Sequence, residues 1–301
     1  MEGNRPEVQW FPGHMQKTRR LIAEHLRLVD VAVELRDARL PDSSANPLLR
    51  ELLGEKPGVI ALNKSDLADP AITKRWLAYY RGQGQPAFAI DSVTGRGLRA
   101  MLARTEELAR DRTERLVKKG GRARAARIMV VGIPNVGKSS LINRLAGKAK
   151  TRVENRPGVT RDKQWIRVDE KMELLDTPGI LWPKFDDPEA GRRLAFIGSI
   201  NDEIYDSEAM AAAFLEWMQT RYPERLRERY KLPPDSPDQT PAELLAAIGA
   251  KRGCLLKGGR IDTEKVCRLL MTDLRAGKLG PISFDEPPGE EQTDEDQTEK
   301  E

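Results

Sequence analysis

Gly132 and Gly137, followed at once by Lys138 and Ser139, fit the spacing GxxxxGK[ST] over Gly132-Ile133-Pro134-Asn135-Val136-Gly137-Lys138-Ser139. An apolar run at 128–131 precedes them and an apolar helical pattern at 139–146 follows, which is the strand–loop–helix order of a phosphate cradle. Glycines let successive N–H groups turn toward phosphate oxygens, and a helix N-terminus favours the charge gathered there. The Lys138 ammonium reaches the β/γ-phosphates, the Ser139 hydroxyl is a ligand for Mg²⁺, and Val136 and Ser140 complete the binding loop. Asp176-Thr177-Pro178-Gly179 lies downstream at the end of a second apolar run. Its carboxylate suits Mg²⁺ and its Gly179 N–H suits a γ-phosphate. Alone, that tetrapeptide is also a plain turn; after a phosphate loop it reads as a nucleotide switch. Thr160, in Pro157-Gly158-Val159-Thr160, is the expected switch threonine, joining Mg²⁺ and the γ-phosphate behind a polar loop at 150–156.

The base is addressed elsewhere. Asn63-Lys64-Ser65-Asp66 ends the apolar run 59–62, and the pattern NKxD suits guanine, whose N1–H and exocyclic amine both donate to one carboxylate. Four residues are a weak match alone, since Asp66 is equally suited to capping a turn; coupled to the phosphate loop they select GTP over ATP. Asp91-Ser92-Val93-Thr94-Gly95 stands where a second base-contacting loop belongs, although it departs from the usual Ser-Ala-Lys form. The base-reading residues precede the phosphate loop instead of following it. The nucleotide domain is therefore expected to be circularly permuted, with the old termini joined through the charged stretch 110–127.

Six short apolar runs, at 29–35, 59–62, 87–90, 128–131, 165–168 and 172–175, read as strands. Helical patterns at 16–28, 71–81, 98–116 and 139–146 separate most of them, which predicts an α/β domain with a mainly parallel six-stranded sheet covered on both faces. From about residue 187 only helices follow, at 208–221, from Thr240 to 250 behind a capping box with Glu243, and at 263–276 behind Asp262. The expected organisation is a permuted P-loop GTPase domain at 1–186, a small all-α domain at 187–284 and an acidic disordered tail at 285–301.

No apolar run approaches a membrane span, and residues 1–15 hold no apolar stretch ahead of their first charges, so a cytoplasmic protein without membrane partners is expected. Cys254 and Cys267 match neither a redox pair nor a zinc site and read as buried thiols. The net charge of +4 divides unevenly: residues 285–301 hold nine acidic residues against Lys300 alone, which leaves +12 on residues 1–284. A body that basic attracts polyanions, nucleic acid first, although scattered cations also serve solubility. Lys251, Arg252, Lys257 and Arg260 cluster around a glycine-rich loop, and Lys118, Lys119, Arg122, Arg124 and Arg127 crowd the permutation linker. Each cluster is either an RNA contact or a solvated charged loop.

The block Gln9-Trp10-Phe11-Pro12-Gly13-His14-Met15, the stretch Arg36-Asp37-Ala38-Arg39-Leu40-Pro41, the permuted motif order and Arg252-Gly253-Cys254-Leu255 together resemble the ribosome biogenesis GTPase A family, the bacterial YlqF/RbgA type. The resemblance covers about residues 8–284. It implies a GTPase that binds the maturing large ribosomal subunit, touches its RNA through a helical C-terminal domain, and uses hydrolysis to time its release. Many related GTPases orient the attacking water with a glutamine after the DxxG glycine; here that position is Ile180, followed by Leu181, and an aliphatic chain cannot bond water. The resemblance points instead to His14, swung toward the γ-phosphate, while the residue alone also fits a helix cap. His25, beside the apolar stripe of the first helix, reads as structural. Asn135 resembles the residue that helps ligate K⁺ in potassium-activated GTPases, and it equally suits a turn that needs left-handed backbone. A monomer is expected. A second reading is a nucleotide-gated RNA-binding switch in which hydrolysis is incidental.

Overall fold

The computed structural model describes residues 13–54, 56–118, 120, 124–147, 165–175, 187–234 and 239–289. Residues 13–175 together with 283–289 form one compact unit, and residues 187–282 form another.

The first unit runs α1 (Gly13–Leu26), β1 (Val31–Asp37), α2 (Pro47–Leu53), β2 (Gly58–Asn63), α3 (Pro70–Gly82), β3 (Ala87–Ala89), α4 (Leu98–Lys118), β4 (Ala126–Gly132), α5 (Lys138–Ala146), β5 (Trp165–Arg167) and β6 (Met172–Leu175). Its strands form one sheet in the order β3-β2-β1-β4-β6-β5. Neighbours are parallel except β5, which is antiparallel to β6. This is the sheet that the alternation of strand and helix predicts. The short helix α2 is not foreseen by the periodicity; seven residues hold too few turns to show a stripe.

Parallel strands need crossovers, and those crossovers cover the sheet. On one face Ile22 and Leu26 of α1 and Leu49 of α2 pack on Ala32, Met129, Val131 and Leu175, while Ile72, Trp76 and Tyr80 of α3 pack on Ile60 and Leu62. On the other, α4 and α5 lie against the central strands, whose alternate residues Val33, Leu35, Ala61, Ile128 and Val130 are equally buried. β1 is buried along its whole length although it carries Glu34, Arg36 and Asp37. Buried charges persist only when paired. Arg36 donates to Glu34 at 2.6 Å and to the Tyr80 hydroxyl at 2.9 Å, and Asp37 is met by Arg39 at 2.8 Å. His25 is buried in α1, as its place beside the apolar stripe predicts.

The C-terminal boundary differs from the sequence reading, which ends the helical domain at 284 and begins the disordered tail at 285. Residues 283–289 belong instead to the sheet unit. The Ser283 hydroxyl accepts from the Asp69 N–H at 3.1 Å, and the Phe284 N–H donates to the Arg39 carbonyl at 2.7 Å. The Asp285 carboxylate accepts from the N–H groups of Asp42 and Ser43 at 2.9 and 2.6 Å and from the Ser43 hydroxyl at 2.7 Å. Its carbonyl accepts from Trp76 Nε1 at 3.1 Å, and Glu286 pairs with Arg75. A charge count assigns these two acids to a solvated tail; their donors, supplied from residues 42–76, turn them into anchors of a strap.

The second unit is helical: α6 (Pro188–Phe196), α7 (Ser207–Arg221), α8 (Pro223–Tyr230), α9 (Pro241–Arg252) and α10 (Thr263–Arg275). The expected Thr240/Glu243 capping box closes in both directions, and Asp262 caps α10. The buried Asp273 accepts from Arg229 at 2.7 Å and Lys278 at 3.1 Å, drawing α8 and the end of α10 together. Cys254 and Cys267 are free and buried, and burial pushes the Cys267 thiol up to about 11. Among the described residues no acid, histidine and cysteine cluster is arranged to hold a metal, and no helix is long and apolar enough to cross a membrane.

Replacing Asp285 by alanine would leave two backbone N–H groups and a hydroxyl without their acceptor. At about 1.5–3 kcal/mol for a hydrogen bond to a charged group, partly recovered by water, we expect a loss of about 2–4 kcal/mol. Urea unfolding followed by tryptophan fluorescence should show a lower midpoint at unchanged slope; an unmoved midpoint would mean that the strap does not hold.

Candidate nucleotide site

Register assembles the site. β1 pairs with β2 so that Asp37 lies opposite Asn63, and with β4 so that Leu35 lies opposite Gly132. Three loops therefore leave the carboxyl ends of adjacent central strands at one edge, where open α/β sheets bind ligands.

The loop after β4 turns at Gly132, where a Cβ would sit 2.6 Å from the Leu35 carbonyl oxygen. It closes at Gly137, which has φ +99° and where a Cβ would meet Asn63 Nδ2 at 2.3 Å. Packing requires a glycine at both positions, and at Gly137 the backbone conformation requires it as well. Asn135 adopts φ 59°, the left-handed conformation that its side chain tolerates. Helix α5 then begins at Lys138 with Gly137 as N-cap and no side chain capping it. A helix start left uncapped by side chains offers its N–H groups and its positive end to an anion, which fits a polyphosphate. Ser139 and Ser140 are exposed on that first turn, whereas Val136 is buried beneath the loop.

Asn63, at the end of β2, pins its own loop to the loops that follow β4 and β3. Its Nδ2 donates to the Val136 carbonyl at 2.8 Å, and its Oδ1 accepts from the Ser92 N–H at 3.0 Å and the Ser92 hydroxyl at 2.8 Å. Lys64 follows at φ 58°, and its ammonium donates to the Asn135 carbonyl at 2.7 Å and lies 3.2 Å from Asp37 Oδ2. The Ser65 N–H donates to the Ile90 carbonyl at 3.1 Å, joining the two base loops. Asp66 is exposed. The cap of α3 is Asp69, which accepts from the N–H groups of Ala71 and Ile72, so the turn-capping reading of Asp66 does not apply to that helix.

Asp91 plays a different part from Ser92. Its Oδ1 accepts from the N–H groups of Val93 and Thr94 at 2.7 and 3.1 Å, and its Oδ2 from the Thr94 hydroxyl. Partial burial opposes its charge, but these bonds outweigh that and hold the carboxyl below its usual range. Asp91 thus shapes the 91–97 loop with both oxygens. Arg144, on α5, donates to the Thr94 carbonyl and so ties the second base loop to the helix of the phosphate loop. Neither Arg144 nor the pair Asp37–Arg39 carries a site role in the sequence reading. Arg144 is one cation of an amphipathic helix, and the pair stands there only as part of a family signature.

Other expected site residues lie outside the described residues: Thr160, Asp176 and Gly179, the neighbouring Ile180 and Leu181, and Lys119 and Arg122 of the linker. His14 falls in the first turn of α1, but its side chain is outside the described set. Lys118 ends α4 and is exposed. Arg124 is committed elsewhere: its guanidinium grips the buried Asp30 at 2.7 and 2.9 Å, pairing the linker to the start of β1.

In the helical unit α9 ends at Gly253, φ 66°, and residues 254–262 form a small hairpin with Leu255 bridged to Ile261. Lys251, Lys257 and Arg260 are exposed around it, together with Leu255 and Leu256, whose relative exposures are 48% and 47%. Arg252 differs. It donates to the Arg229 carbonyl at 2.7 Å and lies over the Tyr230 ring at 5.3 Å, a packing role.

Comparison with known proteins agrees with this geometry. A family model described as 50S ribosome-binding GTPase matches residues 127–215, beginning in β4. The GDP-bound structure of TM YlqF matches with a TM-score of 0.62 at 29% identity, covering 89% of this chain and 99% of that one. The ribosome biogenesis GTPase A of Thermotoga maritima is 32% identical over 93% of this chain and 95% of its own length. That of Bacillus pumilus is 48% identical over 280 residues, 93% of this chain and 99% of its own. With such identity along nearly the whole of both sequences, the chain belongs to the ribosome biogenesis GTPase A family.

Proposed function

We propose that the protein is a GTP phosphohydrolase that acts late in assembly of the large (50S) ribosomal subunit, binding pre-ribosomal RNA and using hydrolysis to drive its own release. The single observation that carries the GTP part is the Asn63 carboxamide, which holds the phosphate loop at Val136 and the second base loop at Ser92 at once. That arrangement presents a guanine-reading segment and an anion-binding helix start side by side. The ribosomal part rests on the family and on the basic body outside the acidic tail.

In this reading the N–H groups at the start of α5 and the Lys138 ammonium take the phosphates and stabilise charge that grows on the β/γ bridge during cleavage. Asp66 accepts from the guanine edge, and Lys64, Ser65 and Ser92 position it. Ser139, with Thr160 and Asp176, would hold Mg²⁺, which would supply positive charge to offset that of the phosphates, and Asn135 would hold K⁺. Of these donors Ser139 fits a hard cation, with its hydroxyl exposed on a helix turn that no side chain caps. Water is oriented by His14, because Ile180 has no polar atom to do so. The hairpin cations Lys251, Lys257 and Arg260 and the linker lysines Lys118 and Lys119 meet RNA phosphates, in the cytoplasm and as a monomer.

Purified protein should hydrolyse GTP faster when large ribosomal subunits are added, and His14→Ala should remove that stimulation by about 10²-fold or more while leaving GTP binding intact. Stimulation that survives the change would move the water-orienting role elsewhere. Absence of stimulation in the unaltered protein would favour the alternative, a nucleotide-gated RNA-binding switch with incidental hydrolysis. For the hairpin, changing Lys251, Lys257 and Arg260 together to glutamine should weaken RNA binding and flatten the dependence of log K on log salt by about 2–3, close to one unit per phosphate contact. An unchanged slope would take the hairpin off the RNA.

A further inference from the structure

We propose that Asp37 and Arg39 are positioning residues of the guanine site, acting through Lys64. The proposal rests on the guanine reading of Asn63–Asp66 and concerns what holds that segment in shape.

Asp37 is a carboxylate with no access to solvent at the carboxyl end of the central strand β1. Burial alone would push its proton affinity up; the neighbouring charges of Arg39 and Lys64 reverse this and hold it far below the usual carboxylate range. Its partners divide cleanly between its oxygens. Oδ1 accepts from Arg39 Nε at 2.9 Å and from the Arg39 N–H at 3.1 Å. Oδ2 accepts from Arg39 Nη2 at 2.8 Å and faces Lys64 Nζ at 3.2 Å. A guanidinium fork fixes both the place and the plane of a carboxylate, so Arg39 decides where Oδ2 stands, and among the described residues Oδ2 is one of two acceptors around the Lys64 ammonium. The other is the Asn135 carbonyl of the phosphate loop, at 2.7 Å.

Lys64 gains from this what its own sequence position denies it. A free lysine has a flexible four-carbon stem and a strongly hydrated head, and its backbone here sits at φ 58°, a conformation that costs energy for any residue with a Cβ. Tethering the ammonium between Oδ2 and the phosphate loop fixes the stem between the end of β1 and that loop before any nucleotide arrives. The ordering is then already done in the free protein, and ligand affinity rises accordingly.

The supports of the pair extend outward in the same way. The Asp37 N–H donates to Ser44 Oγ at 3.1 Å, the Ala38 N–H donates to the Asn63 carbonyl at 2.8 Å, and the Arg39 carbonyl is taken by the strap through Phe284. The turn bearing Arg39 is therefore held on both sides, and the arginine is almost wholly enclosed. An arginine so enclosed is available to no substrate, and its fork holds Asp37.

A double-mutant cycle on a fluorescent guanine nucleotide tests this. Asp37→Asn keeps the shape and removes the charge, and Lys64→Ala removes the tethered head. Positioning through Lys64 predicts that Asp37→Asn weakens GDP binding by about tenfold or more, and that the double variant binds no more weakly than Lys64→Ala alone. If the two losses multiply, or if Asp37→Asn binds GDP as tightly as the unaltered protein, the proposal is overturned. Thermal unfolding accompanies each measurement. Should Asp37→Asn fail to fold, Arg39→Lys, which keeps the charge and loses the fork, takes its place in the same cycle, where multiplied losses or unchanged GDP binding again overturn the proposal. Failure of the unaltered protein to prefer GDP over ADP would overturn the guanine reading itself, a result distinct from an additive cycle.

Discussion

Asn63 has one carboxamide, and the nucleotide-binding edge of the sheet depends on how its donor and acceptors are used. Nδ2 goes to the phosphate loop and Oδ1 to the second base loop. Because the side chain is buried, neither end can exchange its partner for water, so each bond is enforced by the cost of leaving a buried polar atom unmet. The close approach has a consequence in return. Gly137 can carry no side chain, since a Cβ there would strike the same Nδ2. Phosphate loop and base segment are thereby matched at a single point, and a change at either is felt at the other.

The permuted order costs this arrangement little. Asn63 and Val136 are separated by 73 residues and Asn63 and Ser92 by 29. Closing a longer loop adds only about 0.6 kcal/mol per doubling of length, less than a well-formed buried hydrogen bond contributes. What the sheet requires is that β1, β2 and β4 lie side by side in register with their carboxyl ends together. Arg124, by gripping Asp30 where the linker enters β4 and the chain enters β1, secures the junction that the permutation creates. Its charge thus serves to join two strands.

Much of this is legible in the sequence, and the limits are physical. All six strands can be read because each is a short apolar run between polar punctuation, and the phosphate loop because its glycines and lysine have a fixed spacing. Helices α2, α6 and α8, of seven to nine residues, are too short for periodicity alone to declare, and the equally short α5 is read because the phosphate-loop spacing announces a helix after it. Asn63 is legible as a base-site residue but not as a pin, because its partners are set by strand register, which no local pattern reports. Asp91 is legible as a residue of the second base loop, but not the bonds to Val93 and Thr94 by which it shapes that loop. The strap at 283–289 is hidden by charge: Asp285 reads as one more acid of a tail until the N–H groups of Asp42 and Ser43 are seen to face it.

The same limit explains the acids and bases of β1. A central strand reading Val-Ala-Val-Glu-Leu-Arg-Asp breaks the rule that parallel strands are apolar throughout, yet it is buried from end to end. Each exception has its compensation within a few residues, Glu34 with Arg36 and Asp37 with Arg39. Pairs of this kind seldom raise stability above that of apolar replacements, because desolvating two ions offsets their attraction. Their value has to lie in geometry. For Glu34 and Arg36 that geometry is the turn after the strand: Glu34 accepts from the Asn46 N–H at 2.6 Å, and Arg36 reaches the Pro41 carbonyl at 3.1 Å. The turn so fixed carries Arg39, Arg39 fixes Asp37, and Asp37 faces Lys64. A strand that gives up apolar burial at three positions gains a rigid carboxyl end, beside Asn63 and the loop after β4.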